Sequence, residues 1–167
     1  MGEDHSRSTC NLLAVNFRAL LVFASLVLVL PVTAAAAPSS KETSILHEMN
    51  RVRAQYGLAP LRVDDHLQRA ASAHSHEMVA TNTFSHGAFG SRMLQFAVTG
   101  RIAGENLAWG TGSAGQARGI VAAWLASPEH RANLLRRSFL RVGVSDLRSG
   151  SFLGHPDAHV VTADFAG

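Results

Sequence analysis

Gly104-Glu105-Asn106 opens the stretch of sequence that decides the fold, and the apolar residues Leu107-Ala108-Trp109 follow it directly. Glycine lets a neighbouring backbone approach closely, and a carboxylate that leads into apolar surface requires a partner. That partner can be a cation, an imidazole or a set of backbone N–H groups. Glu105 is therefore either a functional acid or a buried structural acid, and these residues leave both interpretations open.

Three histidines elsewhere in the chain are candidates to converge with Glu105. His86 follows Phe84-Ser85 in a loop, where an imidazole can ligate a metal, act as a base or simply face solvent. His130 falls in the first turn of a predicted helix, whose positive end favours the neutral imidazole. His159 lies on a predicted strand. The residues expected to brace this region as scaffold are Asn106, Ser127, Arg131 and Asn133.

The first 37 residues have the pattern of a secretory signal. Basic residues precede an apolar run over 19–30, and Ala-x-Ala cleavage options follow it. We expect cleavage near Ala36 or Ala37 and a product that is secreted, either extracellular or periplasmic. The run is shorter than the roughly 20 residues of a membrane span. An uncleaved anchor stays open because the small residues up to Ala37 lengthen the apolar segment.

The remaining chain is long enough for one domain with its own core. We expect a short linker over 38–44 and the domain over 45–167. The only cysteine, Cys10, precedes the apolar run, so a disulfide framework is excluded for the mature chain. The formal net charge of +3 is compatible with an anionic cell wall or lipid headgroups as partners. Nucleic acid is not expected, because only one aromatic residue, Phe139, lies among the arginines of 131–141.

Local patterns predict helices packed on a small, mostly antiparallel sheet. Helix starts are expected at Ser39, Asp64, Gln116 and Ser127. The first helix has a capping box over 39–42 and Gly57 as its stop. Residues 141–147 and 159–165 alternate between apolar and polar in the manner of strands, and a hairpin is expected to join them. The predicted fold class is α+β.

Taken in order, these segments resemble the CAP superfamily (cysteine-rich secretory proteins, antigen 5 and pathogenesis-related 1 proteins) in its cysteine-free bacterial form. The motifs that carry the resemblance are Leu46-x-x-x-Asn50-x-x-Arg53, Leu67-x-x-Ala70-x-x-x-His74, Phe84-Ser85-His86, Gly104-Glu105-Asn106, Trp124 to Leu134, and Gly143-Val144. The resemblance runs from about Ile45 to Phe165. It implies a three-layer α-β-α sandwich with a shallow cleft on one face.

In many eukaryotic members of that superfamily, two histidines and two glutamates line the cleft and can bind zinc. The resemblance assigns His86 to the first histidine, Glu105 to the first glutamate and His159 to the second histidine. The second glutamate falls at Ser127, a poor zinc ligand, so the tetrad is incomplete, and His130 is a candidate replacement. Two imidazoles and one carboxylate with an open position would suit Zn²⁺.

Three functions stay open on this basis. The resemblance favours a secreted binding or interaction module of the cell envelope, with cell-wall, lipid or peptide ligands and a metal-binding cleft. The usual catalytic machineries are absent from the sequence, so we expect a binding protein rather than an enzyme. One alternative is a metal-assisted hydrolase of peptides or nucleic acid that uses Glu105. The other is a lipid or sterol carrier, which needs an apolar groove near Phe89, Met93 and Phe96.

Overall fold

A computed structural model describes residues 39–167, in which helices cover both faces of a four-stranded sheet. The helices are α1 (Ser40–Gln55), α2 (Asp65–Thr81), α3 (Phe89–Gln95), α4 (Ala117–Ala126) and α5 (Pro128–Leu134). The strands are β1 (Arg62–Val63), β2 (Ala103–Gly110), β3 (Arg141–Phe152) and β4 (His155–Ala166). Within the described residues, no helix has the length and apolar character needed to cross a bilayer. The predicted secretory signal lies outside the described residues and stays a prediction.

The sheet has the strand order β1-β3-β4-β2, so β2 forms one edge. β1 pairs with β3 in parallel, and the other two pairings are antiparallel, as the sequence predicted. On β2, Glu105 lies opposite Asp164 of β4, and Gly110 lies opposite His159. Directly opposite residues point to the same face, and successive residues alternate between faces. Glu105 and Asp164 therefore share one face, and Asn106 points to the other.

Each face of the sheet is covered by its own helical layer, which confirms the three-layer α-β-α sandwich. On the face of Glu105, α2 packs so closely on β3 that a Cβ added to Gly143 would lie 2.1 Å from the Leu67 carbonyl carbon. The Ser75 hydroxyl of α2 donates to Thr162 of β4 over 3.0 Å. On the opposite face, α1, α4 and α5 bury the main apolar core, which includes Trp124 and Phe165.

The helix starts follow the capping patterns with one exception. Ser39 and Glu42 form the reciprocal bonds of a capping box, and Asp64 accepts N–H bonds at the start of α2. Gly57, with φ of +64°, follows the end of α1. Ser127 is the N-cap residue of α5, as predicted, but its side chain makes no capping bond. Ser127 also ends α4, where its N–H donates to the carbonyls of the preceding turn.

Buried Arg53 connects α1 with the two loops at one end of the sheet. Its guanidinium donates to the carbonyl oxygens of Ala59, Leu134, Arg136 and Phe139 at 2.8–3.2 Å. Burial lowers the pKa of this side chain from its usual value. Carbonyls that converge on one guanidinium must lie close together, so Arg53 fixes the loop after α1 against the segment that follows α5.

Candidate functional site

Glu105 is the centre of a buried polar network at the edge of the sheet. Its side chain is only 2 % exposed, and its Oε1 accepts a hydrogen bond from His86 Nδ1 over 2.6 Å. Its Oε2 pairs with the guanidinium of Arg92 from α3. Burial raises the pKa of Glu105 to about 7, and Arg92 opposes this shift. Both carboxylate oxygens are therefore committed to groups of the protein itself.

Asp164 is the second buried carboxyl group of this network. It is fully buried opposite Glu105, and its oxygens receive no N–H or hydroxyl hydrogen bond from the described residues. Burial and the neighbouring Glu105 raise the pKa of Asp164 well above its usual range. Two neighbouring buried carboxyl groups repel each other when both are ionised, so the raised pKa of Asp164 favours its protonated form. Above the pKa of Glu105, the pair then carries one negative charge, which faces Arg92.

Buried His74 holds the loop that carries His86. Its Nε2 lies 2.8 Å from the carbonyl oxygen of Ser85, and its Nδ1 lies 3.1 Å from a carboxylate oxygen of Glu77. Burial and the positive charge of Arg92 lower the pKa of His74. Because a carbonyl oxygen can only accept, His74 Nε2 donates to Ser85 and fixes the residue next to His86. His74 is thus a buried histidine whose ring nitrogens both contact groups of the protein itself.

The imidazoles of His86 and His130 meet at the open edge of β2. His86 is 57 % exposed, His130 is half-buried, and their ring centroids are 6.5 Å apart. Burial and the proximity of His86 lower the pKa of His130. His130 comes from the helical layer opposite α2, so the two rings approach each other around the edge of the sheet. The structure therefore brings His86, Glu105 and His130 together, as the sequence predicted.

Two asparagines hold α5 against the edge strand. Asn106 Nδ2 donates to the carbonyl of His130 over 2.9 Å. Asn133 Nδ2 lies 3.1 Å from both the Glu105 carbonyl oxygen and Asn106 Oδ1. These contacts satisfy backbone and side-chain groups of the edge strand that would otherwise face water. The scaffold roles predicted for Asn106 and Asn133 agree with this geometry.

His159 does not join this cluster, which corrects the predicted ligand set. It pairs with Gly110, five positions along β2 from Glu105, or about 16 Å at the usual rise of a strand. It also points to the opposite face, where its Nδ1 lies 2.9 Å from Asp146 Oδ1. The register of β2 and β4 is the reason, because it places Asp164 opposite Glu105 instead. No sequence motif marked Asp164 as a member of the site.

Arg131 and Ser127 do not brace the cleft in the predicted way. The Arg131 guanidinium lies 5.6 Å from the ring centroid of Tyr56 and donates to its hydroxyl. The carbonyl oxygens of Leu134 and Arg136, at the end of α5 and just after it, accept hydrogen bonds from Arg53. The sequence signal for the role of Arg53 is its position among the apolar residues of α1 that face the core. A guanidinium buried there needs several hydrogen-bond acceptors.

The residues present do not fit a zinc site with three protein ligands. Within residues 39–167, no group of three or more His, Cys, Asp or Glu side chains is arranged to hold a metal ion. Glu105 already uses both oxygens, and Arg92 supplies a positive charge next to it. We therefore derive no chemical step that depends on a metal. Zinc binding at the cleft stays a prediction of the sequence without support from this geometry.

The groove that lipid carriage would need does not form at the predicted place. Met93 is buried in a small core with Leu67 and Ala70. The pocket beside Phe96 has a volume of about 180 Å³ and is partly lined by Glu77, Arg92 and Gln95. Sites for small organic ligands usually exceed roughly 300 Å³ and are mainly apolar. A sterol or acyl chain therefore has no suitable pocket beside Phe96.

The fold and the edge cluster define an SCP-type domain of the bacterial, cysteine-free kind. The model of the family "CAP: Cysteine-rich secretory protein family" matches residues 46–165, and the chain belongs to this family. The match covers the helices and strands that build the cleft, from α1 to the last residues of β4.

Relatives with known sequence or structure agree with this assignment. The Bacillus subtilis protein YkwD is 35% identical in an alignment of 127 positions that covers 71% of this chain and 48% of YkwD. The chain thus spans about half the length of this curated relative. An extracellular SCP-domain protein of Bacillus anthracis is 28% identical with a TM-score of 0.60, covering 78% of this chain and 45% of that one. An outer surface protein of Borrelia burgdorferi, 24% identical, shares the fold with a TM-score of 0.62 over 78% of this chain and 97% of that one.

Proposed function

We propose that the chain is a secreted binding module of the bacterial cell envelope, which contacts its ligand through the cleft of His86, Glu105 and His130. The observation that carries the proposal is the commitment of both Glu105 oxygens to His86 and Arg92. The cleft consequently presents two imidazoles but no free carboxylate. The extracellular and surface character of the structural relatives supports the location.

The hydrolase alternative has less support than binding. A general base must lie within hydrogen-bond reach of the proton that it removes and have a free lone pair directed at it. Glu105 is buried below His86 and is already paired, so a substrate or a water molecule meets the imidazoles first. The proposed module therefore binds its ligand without cleaving it and needs no resident metal ion.

The proposal is tested by sedimentation of the full chain with purified peptidoglycan sacculi. The test variant combines His86→Gln with His130→Ala. Glutamine at position 86 can still donate to Glu105 and thereby preserve the network. We expect binding to weaken by about tenfold, equivalent to about 1.4 kcal/mol of lost contact. The matched control combines His47→Ala with His76→Ala, two exposed histidines of other helices, and should bind as the unmodified chain does.

Two results of this experiment would overturn the proposal. One is equal binding of the cleft variant and the control variant, which would remove the cleft from recognition. The other is release of soluble fragments from the sacculi that Glu105→Gln abolishes. That release would make the chain a hydrolase with Glu105 in its machinery.

A further inference from the structure

Backbone hydrogen bonds align four chain segments in one row at the end of the sheet. Arg62 N donates to Leu140 O over 3.0 Å, and Leu140 N donates to Ala166 O over 3.1 Å. Beyond β4, Ile102 O accepts from Gly167 N over 3.1 Å. Neighbouring strands lie about 4.8 Å apart, so the row extends about 14 Å across the sheet. Side chains from all four strands therefore emerge at the same end of the molecule.

This end carries exposed apolar side chains among arginines. Leu140 is 50% exposed and Ile102 is 36% exposed. Four exposed arginines belong to the same segments: Arg62, Arg101, Arg136 and Arg137. We call these four arginines, together with Leu140 and Ile102, the arginine end. None of the four arginines forms an ion pair with an acidic side chain within residues 39–167. The nearby carboxylate of Asp64 is already paired with Arg141 over 2.7 Å.

The arginine end is a prearranged surface. The four carbonyl bonds of Arg53 fix Ala59 against the segment that leads to Leu140. Between them lies an open pocket of about 520 Å³, whose lining includes Pro60, Leu140 and Arg62. Its volume is within the range of pockets that accept organic groups, and most of its lining is apolar. A partner therefore meets a rigid surface with apolar side chains inside a positive rim.

We propose that the arginine end docks the protein on an anionic lipid bilayer. Unpaired guanidinium groups attract the headgroups, and Leu140 and Ile102 enter the boundary between headgroups and acyl chains. Charge complementarity identifies an anionic partner. The exposed apolar side chains favour a bilayer over an anionic polysaccharide, which offers no hydrocarbon to receive them. This docking is independent of the histidine cleft and of its ligand.

A dye placed at single positions tests the contact without interference from the N-terminal segment. The full chain with Cys10→Ser receives Leu140→Cys and a polarity-sensitive thiol dye. The matched control is Leu153→Cys, an exposed leucine in the turn between β3 and β4 at the other end of these strands. Vesicles of phosphatidylglycerol should shift the emission of the dye at 140 to the blue and leave that at 153 unchanged. Vesicles of phosphatidylcholine should shift neither dye.

Charge reversal tests the electrostatic part. Arg62→Glu with Arg137→Glu should weaken partitioning onto phosphatidylglycerol vesicles by at least about tenfold, and added salt should remove the difference. Arg118→Glu with Arg148→Glu makes the same change in net charge elsewhere on the surface and should have a much smaller effect. Thermal unfolding followed by circular dichroism confirms that each variant is folded.

Several outcomes would overturn the docking proposal. Equal blue shifts at 140 and 153 would mean unspecific adsorption, and equal losses in both charge variants would mean that only net charge matters. An unshifted dye at 140 in a protein that still sediments with an anionic cell-wall polymer would assign the surface to a polysaccharide. The dye emission and the partitioning onto vesicles do not depend on the histidine cleft. The cleft proposal and the docking proposal can therefore be refuted independently of each other.

Discussion

Glu105 shows at the residue scale what the sequence could and could not predict. Its position before an apolar run predicted an acid in need of a partner, either functional or structural, and the structure supplies His86 and Arg92. The sequence could not identify Arg92 or Asp164, because both reach Glu105 only through the tertiary fold. It could not exclude His159 either, since a register between strands cannot be derived from spacing along one strand.

Asp164→Asn tests the raised pKa of Asp164 at the residue scale. A carboxyl group whose pKa is higher in the folded chain binds its proton more tightly there. Its contribution to stability is therefore lost as the pH rises from its ordinary value towards the folded value. Asparagine keeps a neutral donor beside Glu105 but does not titrate. Relative to the unmodified chain, the variant should gain up to about 1.4 kcal/mol per pH unit above about pH 4.

Urea denaturation of both chains between about pH 4 and about pH 8 measures this difference. Asp157→Asn is the matched control, because Asp157 is exposed and pairs only with exposed Arg148. A stability difference for Asp164→Asn that stays constant across this range would mean that Asp164 is ionised in the folded chain. The raised pKa of Asp164 would then be incorrect.

At the element scale, helices were more predictable than strands. Capping residues are local signals, so Ser39 and Asp64 marked the starts of α1 and α2 correctly. β2 was not predicted as a strand. Helices cover both of its faces, so Leu107 and Ala108 are both buried and the usual alternation of polar and apolar residues disappears. β3 and β4 extend beyond their predicted bounds, because the hairpin continues to the turn at Leu153.

Gly143→Ala tests the contact between α2 and β3. The added methyl group would lie 2.1 Å from the Leu67 carbonyl carbon, so α2 must move away from the sheet. We expect a loss of about 3 kcal/mol in the free energy of unfolding, measured by urea denaturation. Gly150→Ala, where no atom lies within 4 Å, should cost far less. Similar effects of the two substitutions would contradict this packing.

Arg53→Met tests the link between α1 and the loops at the end of the sheet. The substitution keeps the length of the apolar stem but leaves four carbonyl oxygens without their donor. We expect a loss of at least about 3 kcal/mol in unfolding free energy. Arg51→Met removes an exposed arginine with a single pair to Glu48 and should cost less than about 1 kcal/mol. A loss of less than about 1 kcal/mol for Arg53→Met would show that these loops stay together without the hydrogen bonds of Arg53.

At the scale of the whole molecule, the resemblance to the CAP superfamily predicted the fold, and the residue patterns alone did not. The ordered series of short motifs implied the α-β-α sandwich, and the layers confirm it. Patterns of polarity gave only helices and a small antiparallel sheet. β1 pairs with β3 in parallel but is only two residues long. Two residues are too few to show a periodic pattern in the sequence, so β1 could not be predicted.

The predicted secretory signal determines which residue should be the N-terminus of the mature protein. When the full chain is expressed in a bacterium, N-terminal sequencing of the protein in the medium or periplasm should begin at Ala37 or Pro38. Replacing each of the four residues from Ala34 to Ala37 with leucine removes the small residues that cleavage needs. This variant should leave the precursor in the membrane fraction. An unmodified chain that begins at Met1 and stays with the membrane would show an anchor instead.

The central claim is that Glu105, which lies beside the buried carboxyl group of Asp164, is paired with His86 and Arg92 and is not a free ligand or base. Carbon-detected NMR of the side-chain carboxyl groups, with Glu105→Gln for assignment, tests it most directly. The account predicts that the Glu105 carboxyl titrates with a midpoint near about 7 and that equimolar zinc does not change its chemical shift. An ordinary glutamate midpoint, together with a zinc-dependent shift that His86→Gln removes, would contradict it.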